Sequence, residues 1–304
     1  MASILQTAFE LGLISSLTVL ALFLSYTMLN VCDLSTDGCF TLGAAVGAVV
    51  AIAGHPLLSL PAAMCAGVLS GFTTAVLQTK MGIDSLLSGI IVNTGLYSIN
   101  IAVMGGASLL NMNKTVTVFS MMKDLLRSTP LGNMYKTVIA LIAVAAVILF
   151  LTFFLRTRLG LAIRATGNNP AMVRSSSVNP AFTTTVGLCI SNSFTALSGC
   201  LLAQSQKSVN IDIGSGIVTI SLASLLIGRA FAGKGSIPRR AVGAVLGAII
   251  FRLVYAVALR FHMPAFMLKL VSSVIVIIAI AGPYLKSRYP ELHRRLTHKS
   301  WKGS

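Results

Sequence analysis

Long apolar stretches, separated by short polar or basic segments, run along most of the chain. A helix needs about 20 mainly apolar residues to cross a bilayer, and fewer where neighbouring protein shields its backbone. By that criterion the pattern predicts nine candidate membrane segments, near residues 5–29, 37–54, 57–79, 83–104, 136–155, 181–204, 214–231, 240–260 and 264–283. The sequence therefore predicts an all-α fold, a polytopic membrane helix bundle that forms a single transmembrane domain over residues 1–304.

Two of these segments differ from the others in length and composition. The segment 37–54 is short and rich in glycine, and the segment 214–231 is short and rich in serine and glycine. Irregular backbone is tolerated at membrane depth only where protein or a water-filled cavity surrounds it. We therefore expect one of the two to be broken or re-entrant, in a total of about eight or nine membrane segments.

Composition and charge exclude a soluble protein. Hydrophobic residues make up 55% of the chain and charged residues only 10%, whereas soluble domains carry roughly 25% charged residues. The 23 basic and 7 acidic residues give a net charge of +16, an excess expected of a membrane protein whose cytoplasmic loops collect Lys and Arg. A nucleic-acid partner would require a soluble basic domain, and the sequence contains none. We expect the apolar and basic surface of the protein to contact membrane lipid.

The basic residues are distributed unevenly between the two sides of the membrane. Fifteen of them lie at Lys80, in the stretches 156–174 and 229–240, and in the tail after Tyr284; seven lie on the opposite side, and Arg252 lies within a segment. Because basic residues are enriched in cytoplasmic loops, this distribution predicts that the larger group faces the cytoplasm.

Three connecting regions follow from that orientation. Residues 105–135 are expected to form an extracytoplasmic loop, which we call the outer loop. Residues 156–180 are expected to form a cytoplasmic loop, and residues 284–304 a basic cytoplasmic tail.

The cytoplasmic loop carries signals for a short helix. Asn168 or Asn169 can cap its start, and Pro170 suits the first helical position. Asn179, which precedes a proline, is expected to end it. The loop therefore predicts a short amphipathic helix that lies parallel to the membrane between two membrane segments.

Polar residues at the start of the second segment point to a solute pathway. Asp33 and Asp37 flank a run that includes Ser35, Thr36 and Gly38. Gly38 and the hydroxyl side chains favour a helix break that exposes backbone groups toward an aqueous or protein-lined path. The alternative is an ordinary interfacial loop with solvated carboxylates.

A second polar pattern lies on the fourth segment. Asn93, Tyr97 and Asn100 share one face of an apolar helix, so they either line a pathway or form hydrogen bonds with a neighbouring helix. Asn192 on the sixth segment presents the same choice. The predicted translocation-path residues are Asp33, Ser35, Thr36, Asp37, Asn93, Tyr97, Asn100 and Asn192.

Signals of catalysis are absent from the sequence. There is no G-x-x-x-x-G-K-[ST] loop for ATP and no G-x-S-x-G nucleophile motif. The four histidines lack metal-ligand spacing, and the five cysteines form no Cys-x-x-Cys pair. We expect a protein that is not an enzyme, with no catalytic residue, no metal site and no cofactor of its own.

Several blocks of the chain resemble a known family. They read CDLSTDGCFTLGAAV, LYSINIAVMG, RTRLGLAIRATGNNPAMVRSSSVN, GIVTISLASLLIGRAFAGKGSI and GAIIFRLVYAVALR, and they cover most of residues 30–283 in the family's order. These blocks are similar to blocks of the permease subunits of ABC importers in the branched-chain amino-acid-like group, and permeases noted for tryptophan or tyrosine uptake look like close relatives.

The resemblance implies a type II-like importer in the bacterial plasma (inner) membrane. Such an importer contains two permease copies, here expected to be a homodimer, two cytoplasmic ABC ATPase subunits that bind ATP and magnesium, and an extracytoplasmic substrate-binding protein. The expected cargo is a small solute, most simply an amino acid. The alternative from another class is a secondary carrier or channel driven by an ion gradient.

The resemblance also implies roles for two groups of residues. The helix of the cytoplasmic loop corresponds to the family's coupling helix, which inserts into the ATPase. The ATPase-coupling residues implied are Arg164, Asn168, Asn169, Pro170, Met172, Arg174 and Ser175. On the other side, we expect Lys114, Lys123 and Arg127 to dock an acidic rim of the binding protein; simple exposure or contact with lipid headgroups is the alternative.

Three positions depart from the family's pattern. Arg229 stands where the family usually has Glu, Ala102 replaces a usual Arg, and Cys32 replaces a common Pro. The first departure reverses a charge at the expected cytoplasmic boundary.

Overall fold

The computed structural model describes residues 2–125, 134–233 and 235–260, together with the isolated positions 270, 273, 274, 277 and 281. Arg127 and the tail 284–304 lie outside the described residues, and so does most of the ninth predicted segment, 264–283.

Helices form almost all of the regular structure in this part of the chain. They are α1 (Ala2–Leu22), α2 (Thr36–Ile52), α3 (Ser59–Thr79), α4 (Ser85–Val103), α5 (Val118–Leu125), α6 (Tyr135–Phe154), α7 (Arg158–Asn168), α8 (Pro170–Ser175), α9 (Pro180–Gln206), α10 (Ile217–Ala232) and α11 (Ile237–Arg260). A π-helical stretch, Phe23–Met28, continues α1 and is called the π segment below, and a 3₁₀ turn, Ile211–Gly214, precedes α10. Two short strands, β1 (Leu109–Asn111) and β2 (Ser208–Asn210), pair antiparallel with Leu110 opposite Val209.

The described helices agree with the first eight predicted segments. Seven are long and apolar enough to cross a membrane, and α2 is a shorter apolar helix. The seven are Leu5–Met28, Ser59–Thr79, Ser85–Val103, Tyr135–Phe154, Pro180–Gln206, Ile211–Ala232 and Ile237–Ala258. One of the segments 37–54 and 214–231 was expected to be broken or re-entrant, and both start irregularly: α2 has 17 residues after a non-helical stretch, and α10 follows the 3₁₀ turn.

The distribution of hydrophobicity is the reverse of that in a soluble protein. The span Tyr135–Phe154 has the highest mean hydropathy, 2.9, yet only 28% of it is buried. The span Pro180–Gln206 has the lowest mean hydropathy, 1.5, and is 83% buried. A soluble bundle buries its most apolar faces, so the outer helices of this bundle suit a hydrocarbon environment.

Glycines let α2 and α3 approach the central helix α9 closely. A Cβ atom at Gly43 of α2 would collide with the backbone of Ala196, and one at Gly67 of α3 would collide with the backbone carbonyl of Asn192. Without a hydrophobic force between helices in lipid, such small-residue faces allow the close contacts that hold helices together.

The helix α9 connects two ends of the bundle. At its first turn, the Thr183 hydroxyl lies 2.7 Å from the Thr166 hydroxyl of α7. Near its last turn, the Gln204 side chain donates to Ser59 Oγ at 2.6 Å and accepts from the Val118 N–H at 2.9 Å. The outer loop and the loop 156–180 therefore lie at opposite ends of one long helix.

Candidate functional site

The start of α2 lies inside the bundle and is stabilised by Asp33. Its Oδ1 accepts hydrogen bonds from the Ser35 N–H at 2.8 Å and the Ser35 hydroxyl at 2.5 Å. Its Oδ2 accepts from the Asn192 amide of α9 at 2.8 Å, and the Thr74 hydroxyl of α3 donates to Ser35 Oγ at 3.1 Å. Asp33 is 1% exposed. A buried carboxylate is costly unless hydrogen-bonded, and this network supplies those bonds.

The start of α10 is held in the same way by Asp37, four residues further along. Its Oδ2 accepts from the Gly216 N–H at 3.0 Å, and its Oδ1 accepts from the Val218 N–H at 2.8 Å. Gly216 has a positive φ of 83°, so the chain can turn there without strain before the helix begins. A carboxylate at a helix N-terminus satisfies free N–H groups and opposes the positive end of the helix dipole.

A polar cavity of about 420 Å³ lies beside these two helix starts, and we call it the central cavity. Residues of α2, α4 and the 3₁₀ region before α10 form its wall. They are Asp37, Gly38, Thr41, Asn93, Thr94, Tyr97, Ser98, Asn100, Ile211, Asp212 and Ser215. Two of these side chains are carboxylates and none is basic, so the wall favours a positively charged group over an anion.

Asn100 contributes a buried hydrogen-bond acceptor to the wall. Its amide donates to the Gly38 carbonyl at 3.1 Å, while its Oδ1 is buried without a hydrogen-bond partner. Because an unsatisfied buried acceptor costs about 1–3 kcal/mol, a donor that reached this oxygen would remove a penalty. Gly38 leaves the room that this arrangement needs, since a Cβ there would lie 2.7 Å from Asn93 Oδ1.

The structure divides the predicted path residues into two groups. Asp37, Asn93, Tyr97 and Asn100 line the central cavity. The other residues form the buried network behind it, and they are Asp33, Ser35, Thr36 and Asn192.

Sequence reasoning missed five polar members of the wall, and they are Thr41, Thr94, Ser98, Asp212 and Ser215. The polar run around Asp212, just before the short seventh segment, was the available signal. Arg252, which lies within a predicted membrane segment, donates from its Nε to Ser15 Oγ of α1 at 3.2 Å.

The loop 156–180 contains two helices where the sequence predicted one. The predicted short helix is α8, and the Asn169 side chain caps it by accepting from the N–H groups of Ala171 and Met172, both at 3.1 Å. It ends at Ser175, four residues before Asn179, which was expected to end it. The preceding helix, α7, was not predicted.

Most of the predicted ATPase-coupling residues lie at the surface. Arg164 on α7 is half-buried, and the exposed ones are Asn168, Asn169, Pro170, Met172, Arg174 and Ser175. Met172 is 67% exposed although it is apolar, whereas its neighbour Val173 is buried. The tip of the loop, α8, therefore exposes an apolar side chain, Met172, and a basic one, Arg174.

Two contacts hold α7 against the membrane helices. The Thr166 hydroxyl lies 2.7 Å from that of Thr183, and a Cβ at Gly167 would collide with the carbonyl of Met28 in the π segment. A movement of α7 must therefore displace the π segment or α9.

The opposite end carries the predicted docking residues. Lys114 and Lys123 are both exposed, the former beside β1 and the latter on α5. Arg127 lies outside the described residues. Within the described part of the chain, no group of three His, Cys, Asp or Glu side chains is placed to hold a metal ion.

A family model for the permease component of branched-chain amino acid transport systems matches residues 4–280. The chain belongs to this family. As a permease component with seven helices able to span a membrane among its described residues, it is a multi-pass membrane protein of the ABC-transporter permease type.

Two relatives of this permease match over nearly their full lengths. A tyrosine transport system permease protein of Clostridioides difficile (strain R20291) is 30% identical over 289 residues, which cover 95% of this chain and 94% of the relative. An uncharacterised protein of Rickettsia prowazekii (strain Madrid E) is 28% identical over 286 residues, which cover 92% of this chain and 98% of the relative. No solved structure gives a significant match.

Proposed function

We propose that the permease carries an amino acid through the bacterial plasma (inner) membrane as the translocation subunit of a type II-like ABC importer. Two copies form a homodimer, an extracytoplasmic binding protein delivers the solute, and cytoplasmic ATPase subunits bind the ATP and magnesium. The family match and the similarity to a tyrosine transport system permease protein support this proposal.

The observation that carries the solute proposal is the chemistry of the central cavity. An amino acid presents an ammonium group, which needs hydrogen-bond acceptors and favours negative charge. The wall offers the Asp212 carboxylate and the unpartnered Asn100 Oδ1. The carboxylate of Asp37 is already engaged by the start of α10, so Asp212 is the charged acceptor available to the solute.

In this proposal the movement of the ATPase first reaches the permease at α8, the exposed tip of the loop 156–180. Met172 and Arg174 enter a groove on the ATPase, where an apolar side chain and a cation both find partners. Closure of the ATPase pair then moves α8 and α7, and the contacts of Thr166 and Gly167 pass that movement to α9 and the π segment. The loop is cytoplasmic in this proposal, and the outer loop faces the binding protein.

The test is solute uptake by proteoliposomes that contain the permease, its ATPase and its binding protein. We expect ATP-dependent amino-acid uptake, reduced tenfold or more by Asp212→Asn or Asn100→Leu, since each change removes an acceptor worth about 1.5–3 kcal/mol to a charged donor. Asp84→Asn is the matched control: Asp84 caps α4 at the surface, and Asn caps a helix equally well.

A second arm of the experiment separates this proposal from its rival. Proteoliposomes with the permease alone receive a proton or sodium gradient and no ATPase. Uptake in that arm would establish an ion-driven carrier and overturn the importer proposal. Uptake that needs ATP but is indifferent to Asp212→Asn and Asn100→Leu would keep the importer and reject the central cavity as its solute site.

A further inference from the structure

Arginines of three helices interact electrostatically at the end of the bundle that carries the loop 156–180. Arg240, in the first turn of α11, places its guanidinium carbon 5.5 Å from the centroid of the Phe23 ring in the π segment. Its charge interacts with the like charges of Arg229 on α10 and Arg164 on α7. We call Arg164, Arg229 and Arg240 the arginine cluster.

Backbone packing brings two of these arginines together. A Cβ at Gly228, next to Arg229, would collide with the backbone of Gly243, one turn beyond Arg240. The helices α10 and α11 are therefore in direct contact beside both side chains. Aromatic stacking fixes Arg240 further, because a guanidinium over a ring is stabilised by the ring's quadrupole.

The described residues supply no negative charge to this cluster. Both of the charges that act on Arg240 are positive. The buried carboxylates Asp33 and Asp37 accept hydrogen bonds at the starts of α2 and α10. Like charges at short range repel more strongly at a low-dielectric membrane boundary than in water, so the cluster attracts an anion.

The surroundings of the cluster are those of the bilayer boundary. Arg229 lies in the last turn of the span Ile211–Ala232, and Arg240 lies in the first turn of the span Ile237–Ala258. Beside them, large apolar side chains point outward: Phe231 is 67% exposed and Val242 is 46% exposed. An occupant that suits both features carries an anionic group on an apolar tail.

We propose that the arginine cluster binds the phosphate headgroup of an acidic phospholipid, whose acyl chains lie against Phe231 and Val242. Guanidinium groups bind phosphate oxygens bidentately, and basic pockets between membrane helices bind acidic headgroups. A phosphate bound there joins Arg164 of α7 to the hairpin of α10 and α11. The lipid therefore stabilises the packing of the loop 156–180 against the membrane helices, whichever solute the permease carries.

The experiment measures the unfolding temperature of purified, delipidated permease in neutral detergent after addition of phosphatidylglycerol, phosphatidylcholine or inorganic phosphate. We expect phosphatidylglycerol to raise it by about 3 °C or more, as a ligand does that binds only the folded state, and the other two to leave it unchanged. An equal rise with phosphatidylcholine or with inorganic phosphate would overturn the lipid headgroup as the occupant.

Variants of the cluster identify the site. Arg229→Glu supplies an internal carboxylate beside Arg240, so we expect it to abolish the response to phosphatidylglycerol and to raise the unfolding temperature in phosphatidylcholine. Arg229→Gln removes one positive charge and should weaken the response. Arg156→Glu, which changes an exposed arginine outside the cluster, should keep the full response. An undiminished response in both Arg229 variants would reject the site.

Two further measurements test for a protein carboxylate as the occupant. Glu291 lies outside the described residues, and Glu291→Gln should leave the response to phosphatidylglycerol unchanged; a larger response would place that carboxylate in the cluster. The complex with the ATPase subunits should respond as the permease alone does. Loss of the response on adding the ATPase would place an ATPase carboxylate there. Either result would overturn the proposal.

Discussion

The carboxylate of Asp37 and the backbone N–H of Val218 lie 2.8 Å apart, although the two residues are 181 positions apart in the chain. This contact joins the first turn of α2 to the first turn of α10. Both helices begin inside the bundle, where water does not reach every free N–H group. An aspartate at each start supplies the missing acceptor, with Asp33 serving α2 and Asp37 serving α10.

Removing the Asp37 carboxylate should destabilise the fold measurably. Asp37→Ala leaves the N–H groups of Gly216 and Val218 without their acceptor, and we expect a loss of about 2–3 kcal/mol, since hydrogen bonds to charged groups contribute more than neutral ones. Asp37→Asn should lose less, because its amide oxygen still accepts. The measurement is thermal unfolding in detergent.

The matched control for that change is Asp84→Ala. Asp84 also caps a helix, but it does so at the surface with one hydrogen bond to the Leu86 N–H, so its loss should cost about 0.5–1 kcal/mol. Equal destabilisation by the two alanine variants would contradict the role assigned to Asp37.

The features that depend on local sequence were predictable, and those that depend on distant contacts were not. Hydropathy located the eight described apolar helices, and the Asn169 cap of α8 was predicted because a cap needs only neighbouring residues. The strands β1 and β2 were missed because three residues show no periodic pattern. Asp212 was missed as a cavity residue because only the tertiary fold brings it to α4.

Asp33 and Asp37 show the same limit at a finer scale. Their spacing of four residues would place them on one helix face, but α2 begins only at Thr36. Asp33 therefore precedes the helix and turns into the buried network, whereas Asp37 lies on the helix and reaches the cavity wall. The sequence marked both as polar residues near a break, without separating their environments.

The close packing of α7 against the π segment should depend on Gly167. Gly167→Ala places a methyl group against the carbonyl of Met28, so we expect lower thermal stability and weaker coupling of ATP hydrolysis to transport. Gly95→Ala is the matched control, because no atom lies within 4 Å of the position that its Cβ would occupy. That variant should be neutral or slightly more stable. Normal coupling in Gly167→Ala would rule out this contact as a transmission point.

Charge reversal at the tip of the loop 156–180 should uncouple the ATPase. Arg174 is exposed on α8, so Arg174→Glu should leave the unfolding temperature of the permease unchanged while reducing transport-coupled ATP hydrolysis several-fold in proteoliposomes. Arg156→Glu makes the same charge change at the end of α6 and should have a smaller effect. If ATP hydrolysis by the ATPase subunits stays coupled to transport in the complex with Arg174→Glu, α8 is not the coupling element.

Docking of the binding protein should be sensitive to salt. Lys114 and Lys123 are exposed at the end of the bundle opposite α8, and attraction between exposed charges is screened as ionic strength rises. We expect the double variant Lys114→Glu and Lys123→Glu to slow association with the binding protein about tenfold at low salt, with little difference at high salt. Surface plasmon resonance measures both rates. Association of the wild-type pair that does not change with salt would argue against electrostatic docking.

The uninterrupted length of α9 has a mechanical consequence. Its 27 residues make a rod of about 40 Å at 1.5 Å per residue, with Thr183 held by α7 at one tip and Gln204 held by Ser59 and Val118 at the other. Tilting such a rod by about 5° swings its far tip by about 3.5 Å, which exceeds the reach of a hydrogen bond. A small push at the end that carries the loop 156–180 can thus break, by leverage alone, the hydrogen bonds of Gln204 at the other end.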